Sequence, residues 1–206
     1  MKVNYQKELD ALLDALPDRP KLLLHSCCGP CSSYVTEYLT RFFDLTVFYF
    51  NPNIYPPAEY LLRLDTQKSL LDATGWASLM PGEYDHTQFL QAVTGLESEP
   101  EGGARCIPCF RIRLEETARL AKELGFPFFG TTLTVSPHKN APLINEIGME
   151  MGEKYGVRWL PSDFKKKEGY KRSITLSKEY NLYRQNYCGC EFSLRDALNS
   201  EKEKNI

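Results

Sequence analysis

Apolar runs of four to six residues alternate with stretches of helical periodicity along this chain of 206 residues. That alternation restricts the possible fold more than any other feature. KLLLH (Lys21–His25), LTVFYF (45–50) and FPFFG (126–130) read as buried strands, with shorter ones at 76–80 and 157–160. Between them, Tyr34, Val35, Tyr38 and Leu39 follow helical spacing after Pro30, and 59–74 reads as a helix closed by Gly75. Further helices are expected at 86–93, 109–124, 142–155 and 176–184, with the flexible acidic loop GLESEPEGGA at 95–104. Strands alternating with helices imply a mostly parallel sheet covered on both faces. Ligands in such folds bind beyond the carboxyl ends of the strands. HSCCGPC follows the first strand directly and TTLTVSPHKN follows FPFFG, so both segments are expected at one rim. The expected organisation is a single α/β domain, with an N-terminal helix over 1–19, a core over 20–161 and a basic C-terminal segment over 162–206.

At 42% hydrophobic the chain can bury a sizeable core without disulfide staples. Its formal net charge of −2 names no partner, so a nucleic-acid substrate would need a local basic patch. Lys165, Lys166, Lys167, Lys171 and Arg172, interleaved with Phe164 and Tyr170, form such a run. It reads equally as a solvated face or as a set of phosphate contacts. The polar N-terminus lacks the apolar region of a secretory signal, and no apolar run approaches the roughly 20 residues of a membrane span. A cytoplasmic location is expected.

Seven cysteines fall in three groups, and none stands alone. An odd number in a reducing compartment argues against a disulfide framework and for metal ligands or redox thiols. The first group, Cys27, Cys28 and Cys31, sits at a strand-to-helix turn, where backbone N–H groups and a helix dipole favour thiolates. There Pro30 suits the first helical turn, and Gly29 is expected to let the chain pass close to a bulky cofactor. The second group is RCIPC, a C-x-x-C carrying Cys106 and Cys109. Cys27, Cys28, Cys106 and Cys109 together offer four thiolates, which suit zinc or a [4Fe–4S] cluster, and spacing does not choose between them. The third is CGC, in which Cys188 and Cys190 read either as a strained, reducible disulfide or as further ligands.

Other residues carry weaker signals. His25, at the end of a strand beside the cysteines, suits a ligand, an acid–base group or a hydrogen-bonded structural histidine. Asn51 and Asn53 are turn formers in the loop after the second strand. His138 reads as solvated. Tyr60, Arg63, Arg184 and Gln185 either read substrate or pack.

Taken as a set, HSCCGPC, FYFNPNIYPPAEYLLR, RCIPCFRIRL, GTTLTVSPHKN and DFKKKEGYKRSITLSKEYNLYRQNYCGCEFSL resemble the epoxyqueuosine reductase QueH family over most of the chain. The resemblance implies a HUP-like, Rossmann-type parallel sheet with helices on both faces and a C-terminal helical, basic segment. It implies cobalamin-independent deoxygenation of epoxyqueuosine to queuosine, the last step of queuosine biosynthesis, at the wobble anticodon position of tRNA. It places a [4Fe–4S] cluster on Cys27, Cys28, Cys106 and Cys109 and a redox-active pair at Cys188 and Cys190. It also implies an additional mononuclear iron, with His25, Cys31, Asp163 and Arg184 as candidates for that metal or for substrate. It names no electron donor. Where related folds carry a phosphate-cradling SGGxDS run this chain has cysteines, so ATP use is not expected. The competing expectations are a zinc-containing tRNA-binding protein, a protein thiol–disulfide oxidoreductase and an ATP-dependent tRNA thiolation enzyme.

Overall fold

The computed structural model describes residues 3–204. Residues 1–2 and 205–206, the extremities of the expected N- and C-terminal segments, lie outside the described residues. Five strands form one all-parallel sheet: β1 (Lys21–His25), β2 (Asp44–Tyr49), β3 (Ser78–Pro81), β4 (Phe128–Thr131) and β5 (Arg158–Trp159), in the order β3-β2-β1-β4-β5. β1 lies at the centre, with Leu24 facing Val47 of β2 and Gly130 of β4.

Successive β1 side chains leave the sheet on opposite faces, as the pleat requires. Leu22 and Leu24 join one core with Leu9, Leu12, Val35, Leu39 and Leu71. These come from α1 (Tyr5–Asp14), α2 (Gly29–Leu39) and α3 (Pro57–Thr74). Leu23 joins the other core with Phe129, Leu114 of α5 (Cys106–Glu123) and Ile144 and Met151 of α6 (Ala141–Tyr155). With both faces buried, the central strands read as continuous apolar runs. A short helix, α4 (His86–Ala92), packs beside α5.

The strand order reverses between β1 and β4, and the crevice at their carboxyl ends is where such sheets bind ligands. There the Thr132 N–H donates to the His25 carbonyl at 2.9 Å, bringing the two post-strand loops side by side. The loop after β4 contains a single 3₁₀ turn, Leu133–Val135.

Three expectations change. Gly29 makes room for protein, because a Cβ there would stand 2.9 Å from Thr66 Cγ2 and 3.1 Å from the Thr66 carbonyl oxygen of α3. The helix expected at 176–184 is α7 (Gly169–Glu179). Asn181 adopts a left-handed φ of 49° and the Leu182 N–H turns back to the Ser177 carbonyl, so Arg184 lies outside any helix. A further helix, α8 (Glu191–Lys204), begins directly after CGC.

The basic run docks α7 onto the body of the fold. Lys167 pairs with Asp10 at 2.7 Å and Arg172 with Glu37 at 2.5 Å, while Lys165 pairs with Asp163 and Lys171 with Glu168. Each of these four cations therefore already faces a carboxylate. No helix is long and apolar enough to cross a membrane among the described residues.

A cysteine-lined candidate active site

The turn from β1 into α2 carries the first thiols. Cys28 is the N-cap residue of α2 in an extended conformation, with Pro30 in the first turn. The Cys27 and Cys28 sulfurs stand 3.8 Å apart, and those of Cys27, Cys28 and Cys31 all lie within 4.8 Å of one another. The turn is braced from beneath, where Ser26 and Ser32 both donate to Gln67 Oε1 of α3, at 2.8 and 2.7 Å. Hydrogen bonds from Cys27 and Cys31, then the Arg63 guanidinium and Gln185, hold the Cys28 thiol well below the usual range. Cys31 is pushed well above it, chiefly by its hydrogen bond to Cys27 and then by that to Cys28, and Cys27 is raised, chiefly by its hydrogen bond to Cys28. Of the three thiols, Cys28 is the one that ionises first.

The second group is built differently. Cys106 and Cys109 occupy the first turn of α5, which begins at Cys106 and so includes both. Burial pushes Cys109 up to about 12 and raises Cys106. Arg113, one helical turn on, donates through Nε to the Cys109 carbonyl at 2.8 Å and through Nη2 to its sulfur at 3.2 Å. The Gly102 N–H meets the Cys106 sulfur at 3.2 Å. Cys188 and Cys190 complete this half, closing a cavity of about 10 Å³ with Cys106, Cys109, Arg105 and Arg113. All seven cysteines are free thiols.

Gly189 is required by the CGC turn. Its φ is +135°, and a Cβ would stand 2.9 Å from Arg63 Nη1. That same Nη1 donates to the Cys188 carbonyl at 3.0 Å.

Cys188 also lines a larger cavity of about 330 Å³, together with Cys27, Cys31, Lys139, Arg184 and Gln185. This volume lies within the usual range for small-molecule sites. The three cysteine segments therefore meet around Cys188.

Arg63, Arg105 and Arg113 are each about 1% exposed. A buried guanidinium costs several kcal/mol unless negative charge matches it. Arg63 has Glu59 at 2.7 Å. Arg105 Nη1 reaches the Glu97 and Glu99 carbonyl oxygens, while its Nη2 has no hydrogen-bond partner. Arg113 has no carboxylate partner among the described residues, and the anions nearest to it are sulfurs. A cage of soft thiolates beside uncompensated buried cations fits an anionic thiolate–metal group.

The remaining expected residues separate. His25 is wholly buried, with Nδ1 bonded to Thr131 Oγ1 at 2.9 Å and Nε2 to the Phe50 carbonyl at 3.1 Å. Burial, then the Arg113 charge, lowers it to about 3, so it is a neutral, structural imidazole beneath the site. Asp163 lines neither cavity. Arg184 lines the larger one and donates to Ser177 Oγ at 2.9 Å. Gln185 donates to the Cys28 sulfur at 3.3 Å. Asn53 lines the small cavity, and Asn51 ties down the Ser26 carbonyl at 2.8 Å. Tyr60 stacks on Tyr84 at 4.2 Å, which is a packing role.

Sequence reading missed Lys139 and Arg113. The second had a signal: it lies four residues after Cys109, on the same helical face. Lys139 lay in TTLTVSPHKN, already expected at the rim, but nothing local places it against Cys188 across 49 residues.

These features define an α/β protein with one parallel sheet and thiols gathered at the rim beyond β1, a cluster that could hold a metal ion. The sequence profile described as epoxyqueuosine reductase QueH matches residues 22–196. The chain is 46% identical to the epoxyqueuosine reductase QueH of Staphylococcus epidermidis, covering 93% of this chain and 85% of that protein. It is 42% identical to the protein of the same name from Streptococcus pyogenes, over 94% and 79% of the two chains. For the one from Thermotoga maritima the figures are 37%, 88% and 94%. The chain belongs to the epoxyqueuosine reductase QueH family.

Proposed function

We propose that this chain reduces epoxyqueuosine to queuosine in tRNA, acting in the cytoplasm on the wobble nucleotide of the anticodon. The observation that carries the reading is that Cys188 lines both the cavity of about 330 Å³ it shares with Cys27 and Cys31 and the small one it shares with Cys106, Cys109 and Cys190. Opening an epoxide to an alkene takes two electrons and two protons and releases water. Cys27, Cys28, Cys106 and Cys109 would hold a [4Fe–4S] cluster, with Cys31 the spare thiol beside it for an additional iron. When bound, such a group supplies one-electron transfer and Lewis acidity toward the epoxide oxygen. Cys188 and Cys190 store an electron pair as a dithiol and release it on forming a disulfide. Gln185 and Arg63 fix the Cys28 sulfur and the Cys188 backbone, which sets the cavity's shape. The modified base enters unstacked, as enzymes acting on a base within RNA require.

A second reading has its own support. Sulfurs 3.8 Å apart match the edge of a tetrahedral zinc–thiolate site, about 3.8 Å for a Zn–S bond of about 2.3 Å. Anaerobic reconstitution with iron and sulfide, followed by assay on epoxyqueuosine-containing tRNA with a strong reductant, separates the two. Conversion to queuosine by an iron-loaded protein is expected. Unchanged epoxyqueuosine, or a colourless protein holding only zinc, rejects the reductase.

A further inference from the structure

Breaking the epoxide's C–O bonds places negative charge on the oxygen, and some group must meet it with a proton. His25 is excluded, since both its nitrogens are held by protein and burial keeps it neutral. Tyr187, on the cavity wall, commits its hydroxyl to the Tyr55 carbonyl at 2.8 Å and is pushed up to about 12 by burial. Arg184 is a poor proton donor, because guanidinium stays protonated.

Lys139 differs from all of these. The loop after β4 carries it to the cavity wall beside Cys27, Cys31 and Cys188, with its side chain only 10% exposed. Its Nζ donates to the Cys188 sulfur at 3.1 Å. Among the described residues the one carboxylate it faces, Glu101, stands at 3.8 Å, beyond hydrogen-bonding range. An ammonium has three donors, and Cys188 takes one. The surrounding sulfurs and Glu101 outweigh the desolvation and keep the amine charged.

We propose that Lys139 is a catalytic residue, the group that hydrogen-bonds to the epoxide oxygen and protonates it as the ring opens. This rests on the reductase reading above. In the step, both C–O bonds of the ring break and a C=C bond forms. The oxygen leaves as water, with one proton from the Lys139 ammonium and one from the Cys190 thiol. The two electrons come from the Cys188–Cys190 dithiol, which closes to a disulfide as its remaining proton passes to Lys139. An external two-electron donor, with two protons from solvent, returns that disulfide to the dithiol. Transfer to the oxygen is downhill, because hydroxide, conjugate to water of pKa about 15.7, is a stronger base than an amine. Contact with Cys188 places donor and reductant side by side.

The test is single-turnover reduction of epoxyqueuosine tRNA by reconstituted Lys139→Ala, with iron content, tRNA affinity and rescue by ethylammonium as further readouts. The expected result is a loss of roughly 10²–10⁴-fold in rate, with iron content and tRNA affinity unchanged and saturable rescue by ethylammonium but not by tetramethylammonium, which carries no proton. A rate near wild type overturns the proposal. So does iron lost in step with activity, or the absence of amine rescue in a folded, iron-replete variant. Should Lys139→Ala not fold, Lys139→Met keeps the buried stem and must show the same rate loss with full iron. An inactive wild-type protein overturns the reductase reading itself.

Discussion

The two halves of the cysteine site reach opposite electrostatic solutions. In the β1–α2 turn, three thiols crowd together and make one of their number acidic, and the nearby buried cation, Arg63, has Glu59 to balance it. In the α5–CGC half the thiols are spread around a small cavity, burial keeps Cys109 protonated up to about 12, and Arg113 has no carboxylate partner among the described residues. The first half is balanced before any ligand arrives. The second carries a buried positive charge that only ionised sulfur can offset. Binding an anionic metal group would therefore remove more strain from the α5 side, and the two sides should respond differently to substitution.

The largest expected effect tests whether one metal group joins the halves. Under the four-thiolate reading, Cys28→Ala and Cys106→Ala should each abolish the four-iron chromophore and lower reductase turnover by roughly 10³-fold or more, since the bound group would supply the Lewis acidity that activates the epoxide oxygen for the CGC pair. If iron content stays complete in Cys106→Ala, the trio binds metal alone and the halves are independent sites. A smaller effect sharpens the contrast in charge. Arg113→Met removes the donor to Cys109 and should weaken iron retention by roughly 10–100-fold, as outer-sphere partners generally do. Arg63→Met should weaken it less, because Cys28 keeps Cys27, Cys31 and Gln185 as partners. Iron retained against a chelator measures both, and equal losses would erase the asymmetry.

How much of this was legible beforehand follows the range of the interactions. β1 and α2 are local: an apolar run, a turn residue and helical spacing, all visible in Lys21–Leu39. The rim placement of HSCCGPC and TTLTVSPHKN was legible because each directly follows a strand, whereas RCIPC and CGC follow helices and had no such signal. Helix α7 was displaced because its start depends on left-handed turns at Lys167 and Glu168 and on ion pairs to Asp10 and Glu37, contacts more than 130 residues apart. Cys31 was left as a candidate for metal or substrate because its spacing groups it with Cys27 and Cys28 without showing that the three sulfurs lie within 4.8 Å of one another. His25, by its position beside the cysteines, suited a ligand, an acid–base group or a structural histidine alike. Only the three-dimensional partners Thr131 and Phe50 reveal it as core.

The next effect, on pH dependence, is measurable in the metal-free chain. Cys109 ionises near its ordinary 9.0 when unfolded but only at about 12 when folded. The unfolded state therefore loses its proton first, and stability should fall as pH rises between those values. Cys28 acts with the opposite sign. Its folded thiol ionises before the unfolded one, so it adds stability above 9.0 that is lost as pH falls through its depressed value. In denaturant titrations, Cys109→Ser should flatten the decline above pH 9.0, whereas Cys28→Ser should remove a rise in stability below pH 9.0 and leave the slope above it unchanged. Coincident profiles for the two variants would mean the halves do not differ as described.

The smallest effect concerns the two glycines, one in each half. Gly189→Ala forces a side chain into φ +135° and within 2.9 Å of Arg63 Nη1. The conformation alone should cost roughly 1–3 kcal/mol, or about 2–4 °C of Tm per kcal/mol in a chain of this size. Gly29→Ala meets Thr66 Cγ2 at 2.9 Å but needs no left-handed backbone, so its cost is steric. The consequences should diverge more than the stabilities. At Gly189 the new Cβ presses on the guanidinium that holds the Cys188 carbonyl, so reductase activity should fall further than Tm explains, while Gly29→Ala should lose activity only in step with unfolding. Measuring both variants well below their Tm separates these outcomes. If Gly189→Ala is fully active there, the Arg63–Cys188 link does not position the redox pair, and the α5–CGC half tolerates displacement that the β1–α2 turn would not.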